Sequence, residues 1–319
     1  MNSILLTGAN GFIGRALCAR LESEKVRVCR ALRNDQITYP LPTAIKTLTI
    51  NSIGPDTDWG QVLAGVDTVI HLAGRAHVVK ERDSDPLSAY RRVNVAGTER
   101  LARMAVSHGV KRLVFLSSVK VNGEETETRY MEKDIPAPAD PYAISKFEAE
   151  EVLKQIAGET GLEVVIIRPP LVYGPGVKAN FLQLISIVAM GFPLPFKAVN
   201  NVRSLIYIGN LVDAIVLCAK HPLAAGQTYL VRDGEDVSTP VLIYSISKAL
   251  GKPARLFPFS LSLMRLAGEF FGKSTVVNRL IGSLSVDDSK IRKELTWTPP
   301  FTMAEGLNDT VAWYKSGKS

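Results

Sequence analysis

The chain has 319 residues, 46% of them hydrophobic and 22% charged, which is the composition of an ordinary globular protein long enough for two lobes. Three widely spaced cysteines exclude a disulfide framework, and no Cys-x-x-Cys or His-Glu-x-x-His pattern indicates a metal site. The net charge of +7 favours an anionic ligand or weak attraction to an acidic membrane, whereas no basic run with interleaved aromatic residues predicts nucleic-acid binding.

The first predicted element is a short apolar strand, Ser3–Thr7, and the glycines of Thr7–Gly14 follow it at once. Glycine has no Cβ, so it permits a tight turn and lets a phosphate approach the backbone. A helix predicted over Arg15–Ser23 would then direct its N-terminal N–H groups at a pyrophosphate. The spacing Gly-x-x-Gly-x-x-Gly therefore predicts a dinucleotide site; the alternative is a glycine-rich turn without a ligand.

The end of the second predicted strand bears on which dinucleotide binds. Dinucleotide-binding domains commonly carry an acidic residue there for the ribose hydroxyls of NAD, whereas this chain has Leu32 followed by Arg33. An arginine can instead meet a 2′-phosphate, so the cofactor is expected to be NAD(H) or NADP(H), with Arg33 favouring NADP(H). The alternative is that Arg33 simply faces solvent.

Strand-like and helical runs alternate along the first half of the chain, which predicts an α/β fold with a Rossmann-type doubly wound parallel sheet. The strands are predicted at Ser3–Thr7, Val26–Leu32, Lys46–Ile50, Thr68–Leu72, Leu113–Ser117, Glu163–Arg168 and Thr228–Val231. Later proline-rich and glycine-rich sequence indicates a smaller, interleaved α/β lobe. We expect residues 1–172 and 203–234 to bind the dinucleotide, and residues 173–202 and 235–319 to form the substrate lobe.

A tyrosine and a lysine, Tyr142 and Lys146, lie one turn apart on a helix predicted to begin after Asp140 and Pro141 and to run to about residue 157. The lysine charge is expected to lower the pKa of the tyrosine, which could then exchange a proton with a substrate oxygen. Ser118 ends the predicted strand before this helix and could donate a hydrogen bond to the same oxygen. The alternatives are an amphipathic helix surface and a serine that caps a strand.

Two apolar segments occur in the second half of the chain. The run Phe181–Phe196 is interrupted by Gln183, Gly191 and Pro193 and is too short to span a bilayer, so a buried helix is expected. Ser260–Gly272 carries an amphipathic stripe and predicts a helix that faces the core rather than a membrane. Because the chain enters a strand at its start, we expect no signal peptide, and the three widely spaced cysteines fit a reducing cytoplasm.

With these motifs in place, the chain resembles the extended short-chain dehydrogenase/reductase family, in particular the NAD-dependent epimerase/dehydratase branch that acts on nucleotide sugars. The resemblance covers essentially the whole chain. It rests on Thr7–Gly14, His71–Gly74, Asn94–Thr98, Phe115–Ser118, Tyr142–Lys146, Arg168–Pro175, Arg203–Ala214 and Leu295–Pro299.

The resemblance implies a role for each matching residue. Ser118, Tyr142 and Lys146 would be the catalytic residues. The cofactor would contact Gly8, Asn10, Gly11, Phe12, Ile13, Gly14, Arg33, Ile53, Leu72, Ala73, Gly74, Asn94, Tyr142, Lys146 and Pro169. The substrate, a UDP-sugar, would contact Ser118, Lys120, Asn180, Arg203 and Arg279. A homodimer formed through helices near residues 87–108 and 142–158 is also implied.

Departures from the family patterns reduce the number of reactions that the chain is expected to catalyse. Family 4,6-dehydratases carry an Asp-Glu pair where this chain has Val119 and Lys120, and family C3/C5 epimerases use a cysteine and a histidine that this site lacks. The resemblance therefore leaves a reaction at one carbon of the sugar, C4, which is either 4-epimerisation or 4-keto reduction. Leu171 replaces an asparagine of the familiar 4-epimerases.

The first hypothesis is therefore an NAD(P)-dependent reductase of a UDP-4-keto-6-deoxy-N-acetylhexosamine, because the chain resembles an O-antigen branch used in surface polysaccharide synthesis. A UDP-hexose 4-epimerase is the alternative, with UDP-glucose or UDP-N-acetylglucosamine as its substrate. A non-catalytic dinucleotide-binding regulator is a third reading, which fits less well because such proteins often lose the tyrosine or the lysine.

Overall fold

The computed structural model describes residues 3–24, 26–33, 46–76, 85–272 and 274–317. Its strands are β1 (Ser3–Thr7), β2 (Arg27–Arg33), β3 (Lys46–Ile50), β4 (Thr68–His71), β5 (Arg112–Leu116), β6 (Glu163–Arg168), β7 (Leu171–Tyr173), β8 (Arg203–Tyr207), β9 (Thr228–Leu230) and β10 (Asp236–Val237). Every strand predicted from the sequence is present, with ends that differ by at most one residue.

The helices surround two sheets. They are α1 (Phe12–Ser23), α2 (Gly60–Leu63), α3 (Pro86–Arg91), α4 (Gly97–Ser107), α5 (Pro141–Thr160), α6 (Ala179–Met190), α7 (Ile208–Lys220), α8 (Thr239–Leu250), α9 (Leu261–Phe270), α10 (Ser274–Ile281), α11 (Ser289–Leu295) and α12 (Met303–Lys315). A five-residue π-helical turn, Arg92–Ala96, joins α3 to α4.

Within the described residues, the larger sheet has seven parallel strands in the order β3-β2-β1-β4-β5-β6-β9. Strand β1 pairs with β2 on one side and with β4 on the other, so the order reverses there and opens a crevice at the carboxyl ends of the strands. This arrangement confirms the predicted Rossmann-type α/β fold.

Alternate residues of each central strand enter different cores, because neighbouring side chains of a strand point to opposite faces. Ile4 packs in a core with α1 and α7, whereas Leu5 packs in a second core with α4 and α5. Both faces of the sheet are therefore covered by helices, which explains why central strands such as β1 and β5 are continuous apolar runs rather than alternating ones.

A smaller sheet has the order β10-β8-β7 and belongs to the C-terminal half of the chain. Strand β8 follows Asn201 and Val202 and pairs in parallel with β7, which continues from the end of β6 after two prolines. Helix α7 leaves β8 and returns to the larger sheet, where it packs beside α1. The chain thus passes repeatedly between the two sheets; the exact domain division given above stays a prediction.

Helix α5 begins as its sequence predicts. The Asp140 carboxylate accepts a hydrogen bond of 2.7 Å from the backbone N–H of Ala143, and Pro141 occupies the first turn. The helix continues three residues beyond the predicted end and stops at Gly161, whose φ of +76° is the left-handed conformation that favours glycine. These signals place Tyr142 and Lys146 in the first two turns of the helix.

The two apolar segments of the second half differ from the predictions. Helix α6 buries Phe181, Ile185 and Val188, but it ends at Met190, and the rest of the run lies outside the helix. Helix α9 buries only Met264 and Gly268 of its ten residues. The prediction that α9 faces the core is therefore wrong for most of its apolar side chains, because an amphipathic period shows that a helix has an apolar face and does not show what covers it.

Candidate active site

The glycine loop after β1 packs too closely for side chains. Gly8 has a φ of +73°, and a Cβ on it would lie 2.7 Å from the backbone nitrogen of Ala73. A Cβ on Gly14 would lie 2.1 Å from the carbonyl oxygen of Gly8. Gly11 caps α1 and offers no side chain to its first N–H groups. The loop therefore presents helix N–H donors in the manner that binds a pyrophosphate.

A cleft of about 700 Å³ opens beside this loop. Its lining includes eight of the predicted cofactor contacts: Gly8, Asn10, Gly11, Arg33, Ile53, Leu72, Ala73 and Gly74. Arg33 is exposed at the end of β2, while the preceding Leu32 is buried. The size of the cleft, the cradle of close-packed glycines and the position at the reversal of strand order fit a nicotinamide dinucleotide.

Seven predicted cofactor contacts are not among the residues that line this cleft: Phe12, Ile13, Gly14, Asn94, Tyr142, Lys146 and Pro169. Phe12 lines a neighbouring cleft of about 980 Å³ and packs against Gly176. Ile13 packs against the larger hydrophobic core. Pro169 is buried, and its carbonyl oxygen accepts a 3.0 Å hydrogen bond from the N–H of Val119. Phe12 and Ile13 could still offer their backbone N–H groups, since both lie in the first turn of α1.

Ser118, Tyr142 and Lys146 converge at the carboxyl edge of the larger sheet. The Ser118 side chain hydrogen-bonds to Tyr142 and also accepts a 3.2 Å hydrogen bond from the N–H of Lys120, so it caps the turn as well. The Lys146 Nζ donates a 2.8 Å hydrogen bond to the carbonyl of Leu116, at the end of β5. The three predicted catalytic residues therefore form one site.

The lysine also connects this site to the cofactor cleft. A Cβ on Gly74, which lines the cleft, would lie 3.5 Å from the Lys146 Nζ. The ammonium lies 4.3 Å from the centre of the Phe115 ring, a cation–π distance. Burial lowers the pKa of Lys146 to about 8, although the Glu150 carboxylate opposes the shift.

The prediction that Lys146 lowers the pKa of Tyr142 is wrong for this structure. Burial raises the pKa of Tyr142 to about 12, and the Asp140 carboxylate raises it further, whereas the hydrogen bond with Ser118 lowers it. Loss of hydration penalises the phenolate more than the hydrogen bond with Ser118 favours it. At neutral pH the phenol is therefore protonated and can act as a proton donor.

The π-helical turn Arg92–Ala96 aims Asn94 at the catalytic helix. The Asn94 amide donates hydrogen bonds of 2.9 Å to the Ser145 hydroxyl and 3.0 Å to the carbonyl of Arg75. Its oxygen accepts a 2.7 Å hydrogen bond from the Arg75 N–H. Asn94, a predicted cofactor contact, therefore links Arg75 in the lining of the cleft to Ser145, the residue before Lys146. Single π-turns are common at functional sites.

Sequence reasoning missed a buried ion pair below the site. Arg168, at the end of β6, donates to both carboxylate oxygens of Glu150 at 2.9 and 2.5 Å and to Asn122 at 3.0 Å. The Ser117 hydroxyl also donates to Glu150, at 2.5 Å. Glu150 lies two turns after Tyr142 on α5, so one helix face carries both the catalytic residues and this network. The eight-residue spacing between Tyr142 and Glu150 is the one feature of the sequence that could have indicated this shared face.

His71, at the end of β4, is buried between two threonine hydroxyls. Its Nδ1 lies 2.7 Å from the Thr7 hydroxyl and its Nε2 lies 3.0 Å from that of Thr98. Burial, and then the Lys146 charge, lower the pKa of His71 to about 3. The imidazole is therefore neutral at physiological pH and acts as a bridge between β1 and α4.

The predicted substrate residues occupy two regions. Lys120 pairs with Asp140 and, at 2.6 Å, with Glu124, so it is held at the start of the catalytic helix rather than solvated. Arg203 donates a 3.0 Å hydrogen bond to the carbonyl of Gly282. Burial lowers the pKa of Arg203 and the Arg279 charge lowers it further, which places these two guanidinium groups near each other.

The remaining predicted substrate residue stands apart. Asn180 is exposed in the first turn of α6, after Ala179, which adopts a φ of +54° that is uncommon for a residue other than glycine. No contact joins Asn180 to the other substrate residues in the part of the chain that the structure describes.

In the same described part, no helix is long and apolar enough to cross a bilayer, and no cluster of three metal-binding side chains occurs.

Comparison with known proteins connects this geometry to characterised enzymes. The chain is 44% identical to a UDP-glucose 4-epimerase of Vibrio cholerae, over 97% of this chain and 94% of that protein. It is 28% identical to an N-acetyl-alpha-D-glucosaminyl-diphospho-ditrans,octacis-undecaprenol 4-epimerase of Escherichia coli O157:H7, over 98% and 95% of the two chains.

Structural comparison leads to the same group. The solved structure of MoeE5 in complex with UDP-glucose and NAD matches with a TM-score of 0.77 and 26% identity over the full length of both chains. The sequence model described as the NAD dependent epimerase/dehydratase family matches residues 4–231. The chain is therefore an enzyme of the extended short-chain dehydrogenase type and belongs to the NAD dependent epimerase/dehydratase family.

Proposed function

We propose that this enzyme catalyses NAD(P)-dependent oxidation and reduction at C4 of a UDP-hexose. The observation that carries the proposal is the convergence of Ser118, Tyr142 and Lys146 beside the cofactor cleft. Arg203 and Arg279 supply positive charge suited to the diphosphate of the nucleotide sugar. A UDP-sugar bound in the 26%-identical MoeE5 structure supports this substrate class.

The residues divide the proton chemistry among them. When bound, the nicotinamide cofactor supplies or accepts the hydride. Tyr142 passes its hydroxyl proton to the C4 oxygen during reduction and takes it back during oxidation. Ser118 donates a hydrogen bond that orients that oxygen. The buried Lys146 ammonium stabilises the phenolate left when Tyr142 gives up its proton, and it borders the cofactor cleft.

Two reactions share this step, and 4-epimerisation is the first candidate. Its support is the 44%-identical relative, a UDP-glucose 4-epimerase, together with the second epimerase relative. In this reaction Tyr142 must first remove a proton from the C4 hydroxyl and later return it to the keto intermediate. The cofactor is regenerated within each cycle, so none need be added.

The second candidate is reduction of a UDP-4-keto-6-deoxy-N-acetylhexosamine for surface polysaccharide synthesis. Its support is the protonated state of Tyr142, which suits a proton donor, and Leu171 in place of the asparagine of familiar 4-epimerases. A reductase consumes its cofactor. Arg33 borders the cleft and carries the charge that a 2′-phosphate would need, which supports NADP(H); NAD in the MoeE5 complex supports NAD(H).

The test combines one assay with one variant. Purified enzyme would be mixed with UDP-glucose without added cofactor, and separately with the 4-keto-6-deoxy sugar and NADH or NADPH. Interconversion in the first mixture indicates the epimerase, and loss of reduced-nicotinamide absorbance in the second indicates the reductase. Tyr142→Phe should reduce kcat about 10²–10⁴-fold with little change in stability, whereas Tyr244→Phe, at an exposed site on α8, should not. Unchanged turnover in Tyr142→Phe would refute the mechanism.

Compartment and assembly belong to the same proposal. We infer a reducing, cytoplasmic compartment because all three cysteines are unpaired and buried. The homodimer implied by the family would form through α4 and α5, which pack against each other along one side of the larger sheet. Light scattering on the purified protein would test the dimer directly.

A further inference from the structure

One side of the C-terminal half exposes large apolar side chains that nothing in the described chain covers. Leu266, Phe270 and Phe271 are 61%, 83% and 71% exposed. We define the apolar face by its eight exposed members: Met190, Phe192, Phe257, Phe259, Leu263, Leu266, Phe270 and Phe271. Contiguous exposed apolar surface of this kind marks an interaction site rather than ordinary surface variation.

The apolar face is built from three adjoining segments: the residues after α6, the residues before α9, and α9 itself. The backbone N–H of Phe257 donates to the carbonyl of Leu194 at 3.0 Å, and that of Leu194 donates to Arg255 at 2.8 Å, which joins the segment after α6 to the segment before α9. A groove of about 690 Å³ then runs between these segments and α9. Its lining is Pro195, Phe196, Phe257, Phe259, Met264, Ala267, Gly268, Phe271 and Val277.

Exposed cations occur in and next to the segments that form the apolar face. The sequence from residue 245 to residue 283 has six basic residues and a single acidic one, Glu269. Exposed cations of this range are Lys248, Lys252, Arg255 and Arg265, and Lys197 is exposed in the segment after α6. None of these five forms an ion pair with another residue that the structure describes. Arg265 lies on α9 between the exposed Leu263 and Leu266 in the sequence, so this helix carries both cationic and apolar exposed groups.

We propose that the apolar face docks on the surface of an anionic lipid bilayer. A helix with aromatic and aliphatic side chains on one face and basic side chains beside them lies in the membrane interface, with its apolar side inserted among the acyl chains. Each cation near the surface is then attracted by acidic headgroups. A second copy of this chain matches less well, because two such faces would bring their exposed cations together.

Docking would set the orientation of the substrate site. Helix α9 packs against α10 at Gly268, where a Cβ would lie 2.8 Å from Val277. Val277 lines the groove, while Arg279 on the same short helix faces Arg203 at the proposed diphosphate site. The apolar face and the diphosphate-binding charges therefore lie on the two sides of one helix, and the entrance to the site would open close to the lipid headgroups.

Vesicle flotation with the full chain tests this proposal. Vesicles of phosphatidylcholine with 30% phosphatidylglycerol should carry the protein upward, and vesicles of phosphatidylcholine alone should bind it far less. The double variant Phe270→Ser with Phe271→Ser should lose about tenfold or more of its affinity for the anionic vesicles. Ile135→Ser, at an 89% exposed apolar side chain remote in sequence from the face, is the matched control and should bind like the natural chain.

The outcomes separate cleanly. Reduced binding at raised salt for the natural chain, together with the loss in the double variant, supports docking. Failure of the natural chain to bind anionic vesicles, or undiminished binding by the double variant, overturns it. Conversion of a dimer into a monomer by the double variant, with no vesicle binding, would assign the face to self-association instead. Turnover of a UDP-sugar should be unchanged in the double variant, so failure of docking leaves the proposed reaction standing.

Discussion

Replacing Glu150 with glutamine tests the role assigned to the buried network below the active site. The change keeps the shape of the side chain and removes its negative charge. Arg168, whose side chain is 3% exposed, would keep its positive charge in the interior with no carboxylate beside it. Water cannot reach this guanidinium to compensate, so the folded state must bear the cost of an unpaired buried charge.

Breaking a buried ion pair on one side costs about 3–5 kcal/mol. At about 2.1 cal/mol/K per residue, the unfolding entropy of the whole 319-residue chain is about 0.7 kcal/mol/K. The midpoint of thermal unfolding should therefore fall by about 5–7 °C. Replacing both partners, as in Glu150→Leu with Arg168→Met, should recover much of the loss, because apolar side chains of similar volume need no pairing.

Thermal and urea unfolding would be followed for Glu150→Gln and for a control on the same helix. Glu148 pairs with Arg91 at 2.5 Å, but the two side chains are 29% and 48% exposed, so Glu148→Gln should cost about 0–1 kcal/mol. If the two glutamine variants lose the same stability, the reasoning that burial gives the Glu150 pair its energetic importance is refuted.

Three further outcomes follow from the structure. The pKa of His71 is lowered to about 3 from an unfolded value of about 6.5, so stability present above pH 6.5 should be lost on acidification, by about 2 kcal/mol at pH 5. Urea titrations of His71→Gln should show a smaller loss of stability over the same pH range. Gly14→Ala should cost about 1–3 kcal/mol and weaken dinucleotide binding measured by calorimetry, since its Cβ would meet Gly8. Burial raises the pKa of all three cysteine thiols, so a thiol reagent should label none in the folded enzyme and all three in urea; rapid labelling of Cys218 would contradict its burial.

The sequence predicts the sheet and the catalytic residues well because both depend on local patterns. The central strands of the larger sheet, such as β1 and β5, are short apolar runs, and the start of α5 is specified by Asp140 and Pro141 within a few residues of Tyr142. Local spacing also predicts that Tyr142 and Lys146 share a helix face, which the structure confirms.

What the sequence does not predict depends on groups far apart in the chain. Glu150 resembles an ordinary surface residue of an amphipathic helix until β6 brings Arg168 against it. The pKa of Tyr142 is decided by how completely the fold excludes water, and the spacing to Lys146 carries no information about that. Similarly, the apolar stripe of α9 resembles a core-facing helix, and only the assembled lobe shows its exposure.

The π-helical turn at Arg92–Ala96 gives the active site an unusual dependence on chain length. A π-turn accommodates one residue more than an α-helical turn does. Deleting one residue there would let α3 and α4 merge into a regular helix, with its backbone hydrogen bonds improved. The same deletion would rotate Asn94 by about 100° relative to one flanking helix and break its contact with Ser145. The position of Asn94 therefore depends on the number of residues in this turn as well as on the identity of the side chain.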